Sequence, residues 1–587
     1  MKAAQWVLAV AVCGVFMPGI AGPTSADQQF KAIYEQEWRW RVANDLADDD
    51  AAPHTSSRFP HEDQATQLQH LAYWNGIIKA VDAIDPRTLS AQAQVDYAIY
   101  RAQIAAFVAA LRFKEYEMQV NADSAFWTDV NYIARRPFHD AAEYESYIAK
   151  LNALPAWFDD NLANMRAGLA RGFTPPKVTM AGRDTALVAV ATAASPDDTV
   201  FYAPFKEMPS TIPAAQQETL RARGRAAIKA SVQPAYARAL AFMRTDYMPH
   251  ARITLAATSL PDGAAYYQSK ITEFTTTSMT PEQIHQLGLA EMAKIRAEMQ
   301  ATIQQTGFKG SFPAFLAFLR TDPQFYAKTP EELLMRAAWV AKKFDGKAAQ
   351  YFGYLPRQRF GIVPVPDDQA PFYTAARGGA GIYLVNTYNL PARALYSLPA
   401  LTLHESAPGH AFQMPIAAEQ KDVPNFRRAY ISAYGEGWAL YCERLGSEMG
   451  IYTTPYETFG MQSYQAWRAA RLVVDTGVHA KGWTRDQALQ YMMENTALSR
   501  HEIETEVDRY ISWPGQALSY YLGEMAIITA RKKAEAALGP KFDLRAFHDT
   551  VLQLGSVPLP VLSARIDRFI AEGGKSPYPP EVTSDGS

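Results

Sequence analysis

Apolar residues return every three or four positions along most of this chain, and that spacing restricts it to one class of fold. Phe30-Ile33-Tyr34-Trp38 shows the pattern first, and the run from Ala91 to Phe113 carries it over several turns. It continues from Asp140 to Arg171, from Ala214 to Met248 and from Pro281 to Gln305. At the last of these, Thr280 supplies a capping residue, Pro281 suits the first helical position and Glu282 places an acid in the first turn. A further helix is predicted over Pro330–Tyr351, and helices dominate again from Ala392 to Glu572. Residues 172–210 are instead rich in Thr, Pro and Ala without a period, the texture of a connection.

Strand signals are confined to residues 359–387. Phe360-Gly361-Ile362-Val363 is one strand, held to a sheet edge by Pro364 and Pro366. Gly381 to Thr387 is the other, introduced by the turn-prone Arg377-Gly378-Gly379. The expected architecture is mainly α, with one small β-sheet. At 587 residues the chain exceeds what one hydrophobic core serves. It divides into an N-terminal helical subdomain at 27–279 and a second at 280–575, followed by a disordered tail at 576–587.

The N-terminus reads as an export signal over residues 1–26. Lys2 precedes an apolar run from Trp6 to Met17, which Pro18-Gly19 ends, and small residues allow cleavage after Gly22 or Ala26. The run is shorter than the ~20 residues a membrane anchor needs. Cys13 lies inside it, but Val12 is a poor match to a lipoprotein cleavage site. Removal of Cys13 leaves Cys442 alone, so no internal disulfide is expected. The expected location is periplasmic or secreted, with no membrane contact after cleavage. With 57 basic against 60 acidic residues and no basic stripe, nucleic acid is excluded as a partner.

Chemistry concentrates in His404-Glu405-Ser406-Ala407-Pro408-Gly409-His410. Of three His-Glu pairs, at His61, His404 and His501, only this one has a second histidine nearby. Zinc peptidases commonly space two histidines four apart on one helix, with the adjacent Glu activating water. Here the spacing is six, which on a regular helix sets the side chains about 240° apart around the axis. They cannot meet on one ion that way. Pro408-Gly409 offers a broken helix instead, since proline interrupts it and glycine permits an unusual backbone angle. This segment alone leaves a metal site and a pair of ordinary polar histidines both open. Glu436, between Gly435 and Gly437, is a candidate third ligand, because the glycines allow another helix to approach closely. Glu443, seven residues on and on the same helical face, is the alternative.

The sequence resembles the bacterial family known as a domain of unknown function, DUF885, whose members carry His-Glu-x-x-Pro-Gly-His followed by Glu-Gly-Trp-Ala-Leu-Tyr. Three further blocks are similar: Arg471–Thr484, Pro514–Tyr520 and Thr280–Gly288. The resemblance implies a zincin-like helical fold with a deep cleft and the small sheet beside the metal site, akin to angiotensin-converting-enzyme-type peptidases. It implies zinc on His404, His410 and Glu436, with Glu405 as general base, in a metallopeptidase of carboxypeptidase or oligopeptidase type acting on short peptides. Tyr520 or Tyr521 is the candidate oxyanion donor by analogy with helical zinc peptidases. His479, near Asp475 at helical spacing, is a candidate to orient a ligand or bind the oxyanion, with a structural histidine as the plainer reading. Arg377 and Arg509 are candidates for a substrate carboxylate, and Gly381–Thr387 for strand pairing with an extended peptide, while His285 reads as structural. The competing functions are a non-catalytic peptide- or metal-binding protein on the same scaffold and a zinc amidohydrolase of non-peptide amides.

Overall fold

The computed structural model describes residues 25–47, 56–367 and 369–578. The export signal therefore lies almost wholly outside the described residues, although Ser25 caps the first helix. Helices build nearly everything that follows. The N-terminal set comprises α1 (Ala26–Ala43), α2 (Gln64–Asp82), α3 (Ala91–Phe113) and α4 (Ala141–Arg171). Side-chain oxygens of Ser25, Asp63, Ser90 and Asp140 cap them and satisfy the exposed first-turn amides. The Ala214–His250 run is helical but widens into π turns at Ile228–Val232 and Met243–Tyr247. Each wide turn lies just before or around a proline, Pro234 or Pro249, which has no N–H to give the helix.

Helix α5 (Pro281–Thr306) starts as expected, with Thr280 and Gln283 in a reciprocal cap, and stops at Gly307 with φ 76°. The helix expected over 330–351 is interrupted: Pro330–Asp345 ends at Gly346, and a short turn of helix covers Ala348–Tyr351. The tail also differs from expectation. The Tyr578 ring stacks on Tyr354 with centroids 4.4 Å apart, so packed structure continues to Tyr578, and residues 579–587 lie outside the described set.

The sheet has three strands: β1 (Gly361–Pro364), β2 (Ala376–Gly379) and β3 (Ile382–Val385), in the order β1-β3-β2. β1 runs parallel to β3 with Gly361 opposite Ile382, and β2 runs antiparallel with Gly378 opposite Tyr383. Arg377-Gly378-Gly379 is thus a strand and not a turn; the turn falls after it, where Gly381 takes φ 83°. β3 holds the centre, so it has no free edge to offer a substrate. The outward edge belongs to β2. In an antiparallel ladder alternate residues turn their amides and carbonyls away from the partner. Asn386 N–H donates to Ala375, which makes Ala376 and Gly378 the outward pair on β2.

The helices that bear on the site are α6 (Leu398–Glu405), α7 (His410–Ala418), α8 (Ser432–Glu448), α9 (Pro455–Lys481), α10 (Arg500–Ser512) and α11 (Ser519–Leu538). From Phe459 to His479 every residue of α9 is buried, which makes it the axis of this half. α5 lies along it: a Cβ on Gly288 would come within 2.8 Å of both Leu472 and Val473. The cores do not follow chain order. Phe30, Trp74 and Tyr100 share one apolar cluster with Trp438, Phe547 and Phe569, whereas Val120 to Ala251 contribute a cluster of their own. No helix among the described residues is long and apolar enough to cross a membrane.

Candidate metal centre

The His-Glu segment folds by breaking its helix. α6 ends at Glu405, the Ala407–Pro408 peptide is cis, and α7 begins at His410. Gly409 is required here for closeness rather than for a positive φ, since its φ is −73°. Its N–H donates to the Leu403 carbonyl at 3.0 Å, and a Cβ at this position would lie 1.8 Å from the His404 carbonyl oxygen. The indole N–H of Trp438 donates to the Pro408 carbonyl at 2.8 Å and ties the turn to α8. Helical breakage therefore removes the objection that a six-residue spacing raises.

α8 supplies the third member. The backbone of Gly437 meets that of Gly523 on α11, where a Cβ would sit 2.4 Å from the Gly523 carbonyl carbon. This contact leaves room for no larger residue and sets Glu436 against the two histidines. His404, His410 and Glu436 each present a ligand atom, all within 4.8 Å of one another, and both histidines are buried. Glu436 Oε2 lies 3.4 Å from His404 Nε2 and 3.4 Å from His410 Nε2. Those separations are long for hydrogen bonds. They correspond to the edge of a tetrahedron with ligands about 2.1 Å from its centre, the radius of a zinc or similar ion. The group could hold a metal ion.

Glu443 takes a different role from the one weighed for it. Its Oε1 accepts from His404 Nδ1 at 2.8 Å and meets Arg468 Nη2 at 3.2 Å, behind the histidine. A carboxylate on Nδ1 fixes the tautomer and aims the Nε2 lone pair at the cluster. Burial opposes charge on His404, but the carboxylates of Glu436 and Glu443 beside it outweigh that and raise its pKa to about 9. Burial alone would raise the Glu436 carboxyl, yet His410 and His404 hold it well below the usual carboxylate range. Proton and metal ion thus compete for the same lone pairs.

The cluster opens onto a cavity of about 1780 Å³ lined by residues that include Glu405, Tyr430, Tyr520, Arg377 and Arg509, with α3 contributing part of its wall. Glu405 is held at its rim by the Gly378 N–H, which donates to Oε2 at 2.6 Å. A Cβ on Gly378 would lie 1.8 Å from the Glu405 carbonyl oxygen, which explains a glycine within a strand. The Tyr520 ring stacks on His404, with centroids 6.3 Å apart and planes 16° off parallel, and its hydroxyl accepts from Arg509 Nη2 at 3.3 Å. Tyr521 instead points away and donates to Glu291 at 3.0 Å. Two contributors escape a reading of the sequence. One is the Gly378 amide, whose role depends on β2. The other is Tyr430, whose hydroxyl donates to Glu436 Oε1 at 3.1 Å from the loop before α8.

His479 is not brought to this site, and the catalytic role expected of it is corrected. It is fully buried, its Nδ1 accepts from the Ala257 N–H at 3.0 Å, and its Nε2 donates to the Tyr510 carbonyl at 2.8 Å. An amide can only donate and a carbonyl only accept, so these partners dictate the neutral Nε2–H tautomer and leave no nitrogen for a ligand. Asp475 faces the Tyr267 hydroxyl at 2.6 Å and the Gly515 amide instead. His285 is likewise buried, with its Nδ1 2.8 Å from Thr476 Oγ1.

The placement of His479 has a measurable consequence. Burial lowers its pKa to about 3, against about 6.5 in an unfolded chain. Between these values the unfolded form binds a proton that the folded form refuses. The stabilisation is complete above pH 6.5 and is lost as pH falls toward 3, at about 1.4 kcal/mol per pH unit. His479→Asn, whose amide oxygen can accept from Ala257, should remove about one proton from the pH dependence of the unfolding free energy between pH 6 and 4. A slope unchanged by the substitution would reject this assignment.

A family model described as "Bacterial protein of unknown function (DUF885)" matches residues 47–566. The chain belongs to this family. The DUF885 chain is also similar to the crystal structure of a candidate lipoprotein from Colwellia psychrerythraea, at 27% identity and a TM-score of 0.84, over 93% of this chain and 100% of that one. A candidate lipoprotein of unknown function from Shewanella oneidensis shares the fold at 18% identity and a TM-score of 0.63, over 92% and 99% of the two chains. No curated protein matches the DUF885 chain.

Proposed function

We propose that this chain is a zinc-dependent hydrolase of amide bonds in short peptides. One observation carries the reading: two histidine nitrogens stand 3.4 Å from a shared Glu436 oxygen, beside a cavity-lining carboxylate, Glu405, that none of them engages. His-His-Glu is a donor set of catalytic zinc, which when bound polarises a carbonyl and acidifies water.

The remaining work falls to the chain's own residues. Glu405 is anchored through one oxygen by Gly378, so the other is free to take a proton from water and hand it to the departing amine. Tyr520 receives the Arg509 hydrogen bond at its oxygen, which turns its own O–H toward the charge developing on the scissile carbonyl oxygen. The outer edge of β2 lies on the cavity wall, where the carbonyls of Ala376 and Gly378 suit an extended peptide backbone. Placement at the cell envelope belongs to the same reading, supported by the N-terminal apolar run and by the description of the Colwellia relative.

The test is metal content together with peptide digestion. Wild type should hold about one zinc ion per chain, and His404→Ala and His410→Ala should each hold almost none. A peptide mixture should be cleaved by the zinc-loaded protein and spared after chelation. Unchanged zinc in both variants, or cleavage that survives complete zinc removal, overturns the proposal.

A further inference from the structure

The cavity wall holds one arginine that no carboxylate of the described residues pairs. Seven arginines line it. Four of these are paired with carboxylates: Arg41 with Glu37, Arg87 with Asp85, Arg101 with Asp82 and Arg468 with Glu443. The other three are Arg377, Arg471 and Arg509. Arg471 and Arg509 share the single carboxylate of Glu506, at 2.7 and 3.5 Å. Arg377 has no ion-pair partner among the described residues; its guanidinium lies over the Tyr373 ring at 5.3 Å. Asp123 and Glu405, on the same wall, are within electrostatic reach of Arg377 but form no ion pair with it, and Asp123 also reaches Arg509 without pairing.

The position of Arg377 is informative. Arg377 is adjacent to Gly378, whose amide holds Glu405, and Arg509 donates to the hydroxyl of Tyr520, whose ring covers His404. The arginines therefore border the reacting groups on two sides, one through the base and one through the tyrosine. An extended peptide advances about 3.3–3.6 Å per residue. A terminus one or two residues past a scissile amide at Glu405 thus remains within reach of a long arginine side chain.

We infer that Arg377 forms an anion subsite for the free C-terminal carboxylate of the peptide, with Arg509 on the same cavity lining. A guanidinium matches a carboxylate with two parallel N–H···O bonds, and the incoming group supplies the ion-pair partner that Arg377 lacks. The inference rests on the hydrolase reading and narrows it: the enzyme acts from the C-terminus, and chains with blocked ends are poor ligands. Arg471 holds the assembly from behind, stacked on Tyr520 at 4.1 Å and bonded to the Tyr510 hydroxyl at 2.9 Å.

Binding is measured on the zinc-loaded Glu405→Gln protein, which separates it from turnover. The probes are N-acetyl-trialanine and its C-terminal amide, titrated by calorimetry. The acid should bind about tenfold tighter or more. Adding Arg377→Gln, an exposed position where the fold tolerates the change, should bring the two within about threefold. Equal affinity for acid and amide, absence of binding included, overturns the subsite, as does a preference that Arg377→Gln leaves intact. If the acid preference holds and wild type cleaves neither peptide, the hydrolase reading falls while the subsite stands.

Discussion

Glu405→Gln lowers kcat for peptide hydrolysis by about 10²–10⁴-fold, the range general-base groups supply, while zinc content and KM stay near wild type. The separation follows from how the side chain is held. Gly378 N–H donates to one Glu405 oxygen at 2.6 Å, and the glutamine carbonyl oxygen can accept that bond in the same place. What the amide cannot do is take a proton. His404, His410 and Glu436 hold their positions through Glu443, Trp438 and the Gly437–Gly523 contact, none of which involves the Glu405 side chain. Steady-state kinetics on a short peptide, with metal analysis on the same sample, reads both halves of the expectation. Equal turnover by the two proteins removes Glu405 from the mechanism.

The second large effect is expected at a residue with no side chain. Gly409→Ala should cost about 2–4 kcal/mol of stability and most of the bound zinc. The added carbon would lie 1.8 Å from the His404 carbonyl oxygen and 2.5 Å from that of Leu403. Both obstacles are backbone, so no rotamer change relieves them. The strand of chain joining α6 to α7 must move, and the two histidines move with it. Gly76→Ala is the control: Gly76 lies inside α2 with nothing within 4 Å of an added Cβ. That change should stabilise by up to about 1 kcal/mol through helix propensity alone. Thermal unfolding and zinc content of the two variants distinguish a local clash from a general intolerance of alanine. A Gly409→Ala protein with full zinc and unaltered stability would contradict the geometry.

Helices were legible because their signals are local. Thr280-Pro281-Glu282 marks the start of α5 by the chemistry of its first turn, and Ala91–Phe113 shows its period without reference to anything else. Pro408-Gly409 was readable as a break for the same reason, although the glycine acts by closeness and not by an unusual φ. β2 was not legible. Arg-Gly-Gly carries no strand propensity, and it is a strand because β3 lies on one side and Glu405 presses on Gly378 from the other. His479 shows the opposite failure. Its spacing from Asp475 looks functional, but its partners, Ala257 and Tyr510, lie more than 200 and about 30 residues away in sequence. No local pattern records such contacts. Glu443 and Glu436 share one helical face; the flanking glycines favour Glu436, and the side of His404 that each meets assigns Glu443 its different role.

The mixed core has a consequence for how this protein is made. Trp74 and Tyr100 emerge early in synthesis, yet Phe547 and Phe569, which complete their cluster, emerge almost at the end. An early segment can form its helices but cannot bury them, and its apolar faces stay open until nearly the full length is present. Residues 120–251, with an apolar cluster of their own, can consolidate sooner. The metal centre inherits this late schedule, because Trp438, which fastens the turn between the two histidines, belongs to the cluster that closes last. Assembly of this group is therefore a final event, and a chain cut between residues 436 and 547 would carry His404, His410 and Glu436 without the packing that aligns them.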